Sequence, residues 1–274
     1  EAAGSAVTGS ASLRGGCIAE IYRIDLADGR RLVAKLGGTR GDLVLEGFML
    51  AYLGRESRLP VPAVLSAEPD LLLMEYLETA GGITPEVERH AAELGADLHG
   101  ITGPQFGFER DTLIGSLPQP NPPSDSWLDF FRDHRLLHMG REAARVGHLP
   151  APTLARLERF AGQLDRWLTE PARPTLVHGD MWTGNVLCRD GRIAGFVDPA
   201  IHYADPEIEL AFTTLFGTFG AAFFERYQEI RPLAPGFFEA RRLIYNLYPL
   251  LVHTRLFGGG YAETVARVLD RFGF

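Results

Sequence analysis

Cysteine is nearly absent from this chain. Cys17 and Cys188 are the two in 274 residues, too few and too differently placed for a disulfide framework or a zinc site. Long apolar runs are missing as well: Leu71-Leu72-Leu73-Met74 and Tyr248-Pro249-Leu250-Leu251-Val252 fall far short of a spanning helix, and no basic-then-apolar leader precedes the first strand. Positive charge is in deficit. A net charge of −8 offers no basic surface to neutralise a phosphate backbone, which excludes DNA, RNA and anionic membranes as main partners. The eight histidines show no metal-ligand spacing, and there is neither an internal repeat nor a low-complexity tract. What is present is an ordinary globular composition, 46% hydrophobic, able to bury a full core as one large domain or as two lobes sharing a cleft. These absences leave a soluble, cytoplasmic protein that handles a small polar substrate.

The chain opens at Glu1 in a Gly/Ala/Ser-rich stretch to about Ser12, which reads as a frayed start. Residues 13 to 36 read as a Gly loop between strands followed by a hairpin, with Ile21 to Leu26, an Asp28-Gly29 turn and Leu32 to Leu36. Alternation puts Lys35 on the face opposite Ala34, and Leu45, Met49, Leu50 and Leu53 recur at helical spacing from Asp42, so Glu46 lies on a helix after the Lys35 strand. A strand from Leu71 to Tyr76 runs into Leu77-Glu78-Thr79-Ala80-Gly81-Gly82, a hinge-like stretch. Residues 1–77 thus make a small strand-rich nucleotide-binding lobe. Residues 78–274 make a larger, mainly helical catalytic and substrate lobe, with helices expected at Pro85 to about Gly100, Ser126 to about Val146 and Ala151 to about Leu168. The Pro- and Asn-rich Leu117–Pro123 loop is too long for a mere connector and reads as a wall of the substrate pocket. The segment from Leu176 to Val197 reads as short strands around the loop that carries Asp180 and Asn185, and helices return from Glu207 to Phe274.

The chemistry concentrates in His178-Gly179-Asp180-Met181-Trp182-Thr183-Gly184-Asn185, followed by Phe196-Val197-Asp198-Pro199. An Asp-x-x-x-x-Asn loop with a later Asp is the pattern that phosphoryl-transfer enzymes of the protein-kinase type use to take a hydroxyl proton and to hold magnesium. A lone Asp or Asn caps a helix or makes a turn, so the weight rests on three residues in order. Asp180 is then the base, and Asn185 and Asp198 supply hard oxygens to Mg²⁺. Lys35 and Glu46 stand where an ion pair would aim the lysine at the ATP phosphates; without the downstream residues they would read as two solvated side chains. Gly15 and Gly16 would let backbone N–H groups approach phosphate, and Ala34, Met74, Glu75, Tyr76 and Leu187 would line the adenine, or equally form plain core. His178 reads as structural, its imidazole bonded to the loop backbone, and His99 and His253 as partly buried and hydrogen-bonded. Trp182 presents its ring to a sugar face or packs in the core. Cys17 is read either as a small packed residue or as a redox-active thiol that reaches a second molecule's Cys17 in a redox-linked dimer.

Taken together these residues resemble the fructosamine (ketosamine) 3-kinases. The resemblance rests on His178-Gly-Asp-Met-Trp-Thr-Gly-Asn185, on Asp198-Pro199-Ala200, and on matches in order along the whole chain, among them Gly15-Gly16-Cys17-Ile18, Val33-Ala-Lys35, Leu73-Met-Glu-Tyr76, Phe106-Gly-Phe108, Phe216-Gly217 and Phe257-Gly258. It implies an α+β, protein-kinase-like two-lobed fold with a small antiparallel-sheet lobe. It also implies ATP- and Mg²⁺-dependent phosphorylation of the sugar 3-hydroxyl of a glycated amine or glycated protein lysine, with Trp182, Tyr203 and Glu207 on the sugar side. Family members usually carry Gly-His-x-Glu where this chain reads Ala204-Asp205-Pro206-Glu207, so the departure lies at the sugar end. Other small-molecule kinases, of the aminoglycoside or choline type, and a pseudokinase-like ATP-binding module are the alternatives.

Overall fold

The alternation of apolar residues in Ile21 to Leu26 and Leu32 to Leu36 is realised in an antiparallel sheet. The structure, a computed structural model, describes residues 4–13, 20–37 and 42–274. In chain order the elements are β1 (Val7–Ser12), β2 (Glu20–Leu26), β3 (Arg31–Leu36), α1 (Asp42–Glu56), β4 (Val64–Glu68), β5 (Leu71–Glu75) and α2 (Pro85–Leu98). Then come β6 (Thr112–Ile114), β7 (Leu117–Gln119), α3 (Trp127–Phe130), a π-helical stretch Phe131–Leu137, α4 (His138–Arg145), α5 (Ala151–Ala161) and β8 (Thr175–Val177). The chain continues with β9 (Val186–Arg189), β10 (Arg192–Phe196), β11 (His202–Ala204), α6 (Glu207–Leu215), α7 (Ala221–Ile230), a π-helical turn Phe237–Arg241, α8 (Arg242–Tyr245), α9 (Leu247–Phe257) and α10 (Gly260–Arg271). No helix among the described residues is long and apolar enough to cross a membrane.

Two compact units result. The first comprises Glu1–Ile101, Asp180–Ala200 and Thr218–Arg231. Its sheet runs β1-β2-β3-β5-β4, every pair antiparallel. Because side chains alternate across a strand, Val33 packs with Leu72 and Met74 against Leu43 and Leu50 of α1, while Leu32 and Ala34 pack with Leu73 and Leu26 on the other face. Helix α2 starts as its sequence asks, with Pro85 in the first turn and Thr84 Oγ1 accepting from Val87 N. It packs on α7, and its Glu88 carboxylate accepts the Gly220 and Phe223 N–H groups at the N-terminal end of α7, where negative charge is favoured. His99 is buried and its Nδ1 meets Tyr227 Oη at 2.8 Å, the structural role expected for it.

The frayed start is a correction. Val7–Ser12 is strand β1, paired with β2 through Ser12 opposite Tyr22. Gly, Ala and Ser have little strand preference of their own, and cross-strand pairing overrides it. Strand β4 was likewise not anticipated; it lies at the other edge, next to β5.

The second unit comprises Thr102–Gly179, Ile201–Gly217 and Pro232–Phe274. Its centre is aromatic: the Trp127 ring lies 5.5 Å from Phe106 and from Phe131, and 5.8 Å from Phe130. The expected helix from Ser126 forms, with Ser126 capping Asp129 N and Glu170 accepting Trp127 N, but a π-helical stretch interrupts it and turns Arg135 inward. Arg135 is fully buried. Its guanidinium donates to Pro120 O and Asn121 Oδ1 and lies over the Phe130 ring, holding the Pro-rich loop from below. That loop is less open than its composition suggests: Leu117–Gln119 is β7, paired with β6, and Gln119 and Asn121 are buried donors to Thr112 Oγ1.

Gly107 combines a left-handed backbone with a backbone clash for any side chain. Its φ is +95°, and a Cβ there would stand 2.5 Å from Pro122 O and 2.8 Å from Asn121 O, both backbone atoms. Gly107 also exchanges backbone hydrogen bonds with Tyr203. Gly107→Ala is expected to cost about 2–4 kcal/mol, read as a lowered urea midpoint, because strain at a left-handed position adds to a backbone clash. An unchanged midpoint would show that the loop relaxes freely.

Candidate active site

In the first unit the chain from Asp180 to Asp198 forms a loop, a 3-10 turn at Thr183–Asn185 and the β9–β10 hairpin. Two bonds fix the turn: Trp182 N donates to Asp180 O at 3.1 Å, and Asn185 N to Trp182 O at 2.8 Å. Thr183 N and Oγ1 both donate to Thr218 Oγ1, at 2.9 and 3.2 Å. Asn185 is buried, and its Nδ2 donates to Asp180 Oδ2 at 2.8 Å and Asp180 O at 2.9 Å. With Nδ2 so committed, Asn185 Oδ1 is the atom it can offer to a cation. Val197 N donates to Asn185 O at 3.1 Å, which brings Asp198 beside Asn185. Asp198 has φ +52°, a conformation few non-glycine residues adopt and one often found at functional sites.

Lys35 is the only lysine in the chain. It is buried, and its Nζ bridges Glu46 Oε1 at 2.6 Å and Asp198 Oδ1. Burial alone would lower the ammonium, but the charges of Asp198 and Glu46 outweigh it and hold Lys35 above its ordinary value. One cation between two carboxylates leaves one carboxylate under-compensated. Burial first, offset by Lys35 and reinforced by Asp198, raises the Glu46 carboxyl above its usual range. The strand Lys, helix Glu and later Asp inferred from spacing are therefore brought together.

The nucleotide-side residues divide. Gly15, Gly16 and Cys17 lie outside the described residues. Ala34 and Met74 are both buried but on opposite sheet faces, in different clusters. Glu75 is exposed and accepts Ala63 N, Tyr76 packs against the Met74 cluster, and Leu187 is half-buried on β9. Cys188 is buried, and burial raises its thiol.

In the second unit His178 is buried, and Gly179, at φ +84°, donates its N–H to the buried Glu209 Oε2 at 2.8 Å. A small void behind them is walled by Ile208, Phe212, Tyr248 and Pro249, so this bond lies in apolar surroundings that strengthen it. Of the residues expected on the sugar side, Tyr203 has its ring between Gly103 and Phe108. Glu207 receives Arg241 through two bonds, Nε to Oε2 at 2.6 Å and Nη2 to Oε1 at 2.8 Å, and Arg241 also donates to Ala234 O and Pro235 O.

Sequence reading did not anticipate Thr218, Arg241 or the bonding roles of Asp205 and Glu209. Only Asp205-Pro206-Glu207, a helix-start pattern, carried a local signal. Asp205 Oδ1 accepts Glu207 N at 2.9 Å and Oδ2 accepts Tyr245 Oη at 2.7 Å, while Tyr245 Oη accepts Trp127 Nε1 at 3.0 Å. Burial first and then the Glu207 charge push Asp205 up to about 6, against 3.8 ordinarily. Since the folded state holds this proton more tightly than the unfolded one, stability falls as pH rises from about 4 through 6, by on the order of 3 kcal/mol. Asp205→Asn lacks that titration, so its stability relative to the parent is expected to improve from pH 4 to 7.5 by that order. A pH-independent difference in urea melts would refute it.

Comparison with known proteins identifies the family. The fructosamine kinase family model matches residues 1–272. A Synechocystis sp. protein described as a probable ketoamine kinase is 38% identical over 274 residues, covering 95% of this chain and 88% of its own. The chloroplastic protein-ribulosamine 3-kinase of Oryza sativa subsp. japonica is 30% identical over 97% of this chain and 79% of its own. Among solved structures, a Thermobifida fusca protein provisionally assigned as a fructosamine-3-kinase superposes with a TM-score of 0.88 at 33% identity, over 98% of this chain and 95% of that one. An aminoglycoside phosphotransferase in ternary complex with AMP-PNP and hygromycin B shares the fold at 19% identity, with a TM-score of 0.65 over 97% of this chain and 92% of that one. The architecture is thus the protein-kinase-like, two-lobed α+β fold. With the Asp180, Asn185 and Asp198 motif tied together and its family model matched from end to end, the chain belongs to the fructosamine kinase family.

Proposed function

We propose that this protein transfers the γ-phosphoryl group of ATP to the sugar 3-hydroxyl of a ketosamine, either a small glycated amine or a glycated protein lysine. The observation that carries this is the linkage of Asp180, Asn185, Asp198, Lys35 and Glu46 in one unit. The ketoamine and ribulosamine kinase relatives support the acceptor, and the AMP-PNP complex of the aminoglycoside phosphotransferase supports the donor. Residues 1–77 would bind the nucleotide, with Gly15 and Gly16 at its phosphates, Lys35 set by Glu46, and Met74, Glu75, Tyr76 and Leu187 around adenine; residues 78–274 would carry catalysis and the acceptor, with Trp182, Tyr203 and Glu207 on the sugar side.

Asp180 accepts the hydroxyl proton as the sugar oxygen bonds to the γ-phosphorus, and the bond from that phosphorus to the bridging oxygen breaks to release ADP. Asn185 donates to Asp180 and so fixes the carboxylate while turning its own Oδ1 outward. Lys35, kept protonated by its two carboxylates, meets the α- and β-phosphates. Mg²⁺, when bound, neutralises charge developing on the phosphates. Asn185 Oδ1 and the Asp198 carboxylate are hard oxygen donors that fit it. Among the described residues no group of three or more acidic, His or Cys side chains is placed to hold a metal ion.

The test is magnesium-dependent ATP consumption by the purified protein with fructosamines, ribulosamines, free sugars, aminoglycosides and choline. Turnover with a ketosamine, with phosphate on its 3-oxygen by NMR, is expected. Turnover with aminoglycosides or choline alone, or with none of the panel, would overturn the reading.

A further inference from the structure

Gly184 stands in the 3-10 turn between Trp182 and Asn185, and nothing in its backbone demands glycine: its φ is not in the left-handed region and the residue is exposed, outside any core. What does demand it is the indole of Trp182. A Cβ on Gly184 would lie 2.5 Å from Cζ2, 2.6 Å from Cη2 and 3.0 Å from Cε2 of that ring. The six-membered half of the indole therefore rests directly on the Gly184 backbone. The turn cannot retreat from it cheaply, because Thr183 is held by Thr218, Asn185 N by Trp182 O, and Asn185 Nδ2 by Asp180. A methyl group here would displace the ring, which is the movable partner.

We infer that Gly184 is a positioning residue for the acceptor: its missing side chain sets the plane of the Trp182 indole, on which the sugar ring of the ketosamine stacks. The inference rests on the ketosamine kinase reading and adds to it the residue that orients the stacking platform. Trp182 lies two residues from Asp180, and the proton transfer needs the sugar hydroxyl within hydrogen-bond reach of that carboxylate. Ordinary contact begins near 3.4 Å, so relief of the clash moves the ring by roughly 1 Å, a displacement able to cost about 100-fold when it misplaces a reacting group. The residues proposed for the nucleotide do not include Gly184 or Trp182, so its binding is expected to be spared.

Three variants test this: Gly184→Ala, Trp182→Ala, and the two combined. With a ribulosyl- or fructosyl-lysine derivative as acceptor, Gly184→Ala is expected to raise the acceptor KM about 10-fold or more and to leave the ATP KM within about twofold. In the Trp182→Ala background the same substitution is expected to change nothing further, since there is no ring left to displace. Intrinsic fluorescence, recorded in a Trp127→Phe/Trp167→Phe background so that Trp182 alone emits, is expected to shift on adding Gly184→Ala. An unshifted spectrum overturns the placement of the ring. An acceptor KM unchanged in Gly184→Ala, or raised as much with Trp182 absent as with it present, overturns the positioning role. A parent enzyme that ignores every ketosamine overturns the functional reading, and with it the sugar platform, even where the spectrum still shifts.

Discussion

Asp180→Asn is expected to lower kcat by about 10²- to 10⁴-fold, the usual worth of a positioned general base. Nucleotide affinity should hardly change. The substitution is close to silent structurally, because the new side chain keeps an oxygen to accept from Asn185 Nδ2, as Asp180 Oδ2 does at 2.8 Å. What it loses is the capacity to take up the sugar hydroxyl proton. Single-turnover measurement of phosphoryl transfer, alongside binding of Mg-ATP, separates the two. A variant that turns over at the parental rate removes Asp180 from the base role, and one that also fails to bind Mg-ATP shows that the carboxylate serves the metal instead.

Lys35→Met is expected to remove activity and stability together, for separable reasons. It strips the ammonium from between Glu46 and Asp198, whose side chains are 17% and 38% exposed. Leaving a buried charge uncompensated costs about 3–5 kcal/mol where water is excluded, and less here because Asp198 is partly screened, so about 2–4 kcal/mol is expected in urea unfolding. Adding Glu46→Gln neutralises the more buried carboxylate and should recover much of that loss. It should recover none of the kcat/KM for ATP, since no group is left to meet the phosphates. Stability that stays low in the double variant would mean that the aliphatic stem of Lys35, and not its charge, is what the core misses.

Much of this site could be read from the chain because its members are close in sequence or sit on strongly patterned elements. Asp180 and Asn185 share one turn. Lys35 and Glu46 lie on a β-strand and the next helix, where alternation and helical spacing say which way each points. The start of α2 at Thr84-Pro85 was equally plain. The rest depends on partners that no local pattern identifies. Strand β1 exists because β2 pairs with it. Arg135 lies buried in a π-helical stretch and donates to Asn121, a polar loop residue that is itself core. Asp205 and Tyr245 meet across 40 residues, and Gly179 meets Glu209 across 30. Nothing in the sequence marks Gly184 as the residue an indole lies against.

The solitary lysine has a consequence for the protein's own exposure to sugars. Aldoses condense with neutral, accessible primary amines, whereas guanidinium groups stay protonated and do not form such imines at neutral pH. All the other members of the 27 basic Lys and Arg side chains here are arginine. The one ε-amine is buried and kept charged by two carboxylates. On the reading proposed above, these 274 residues, working among glycating sugars and their adducts, present no lysine side chain for those sugars to modify.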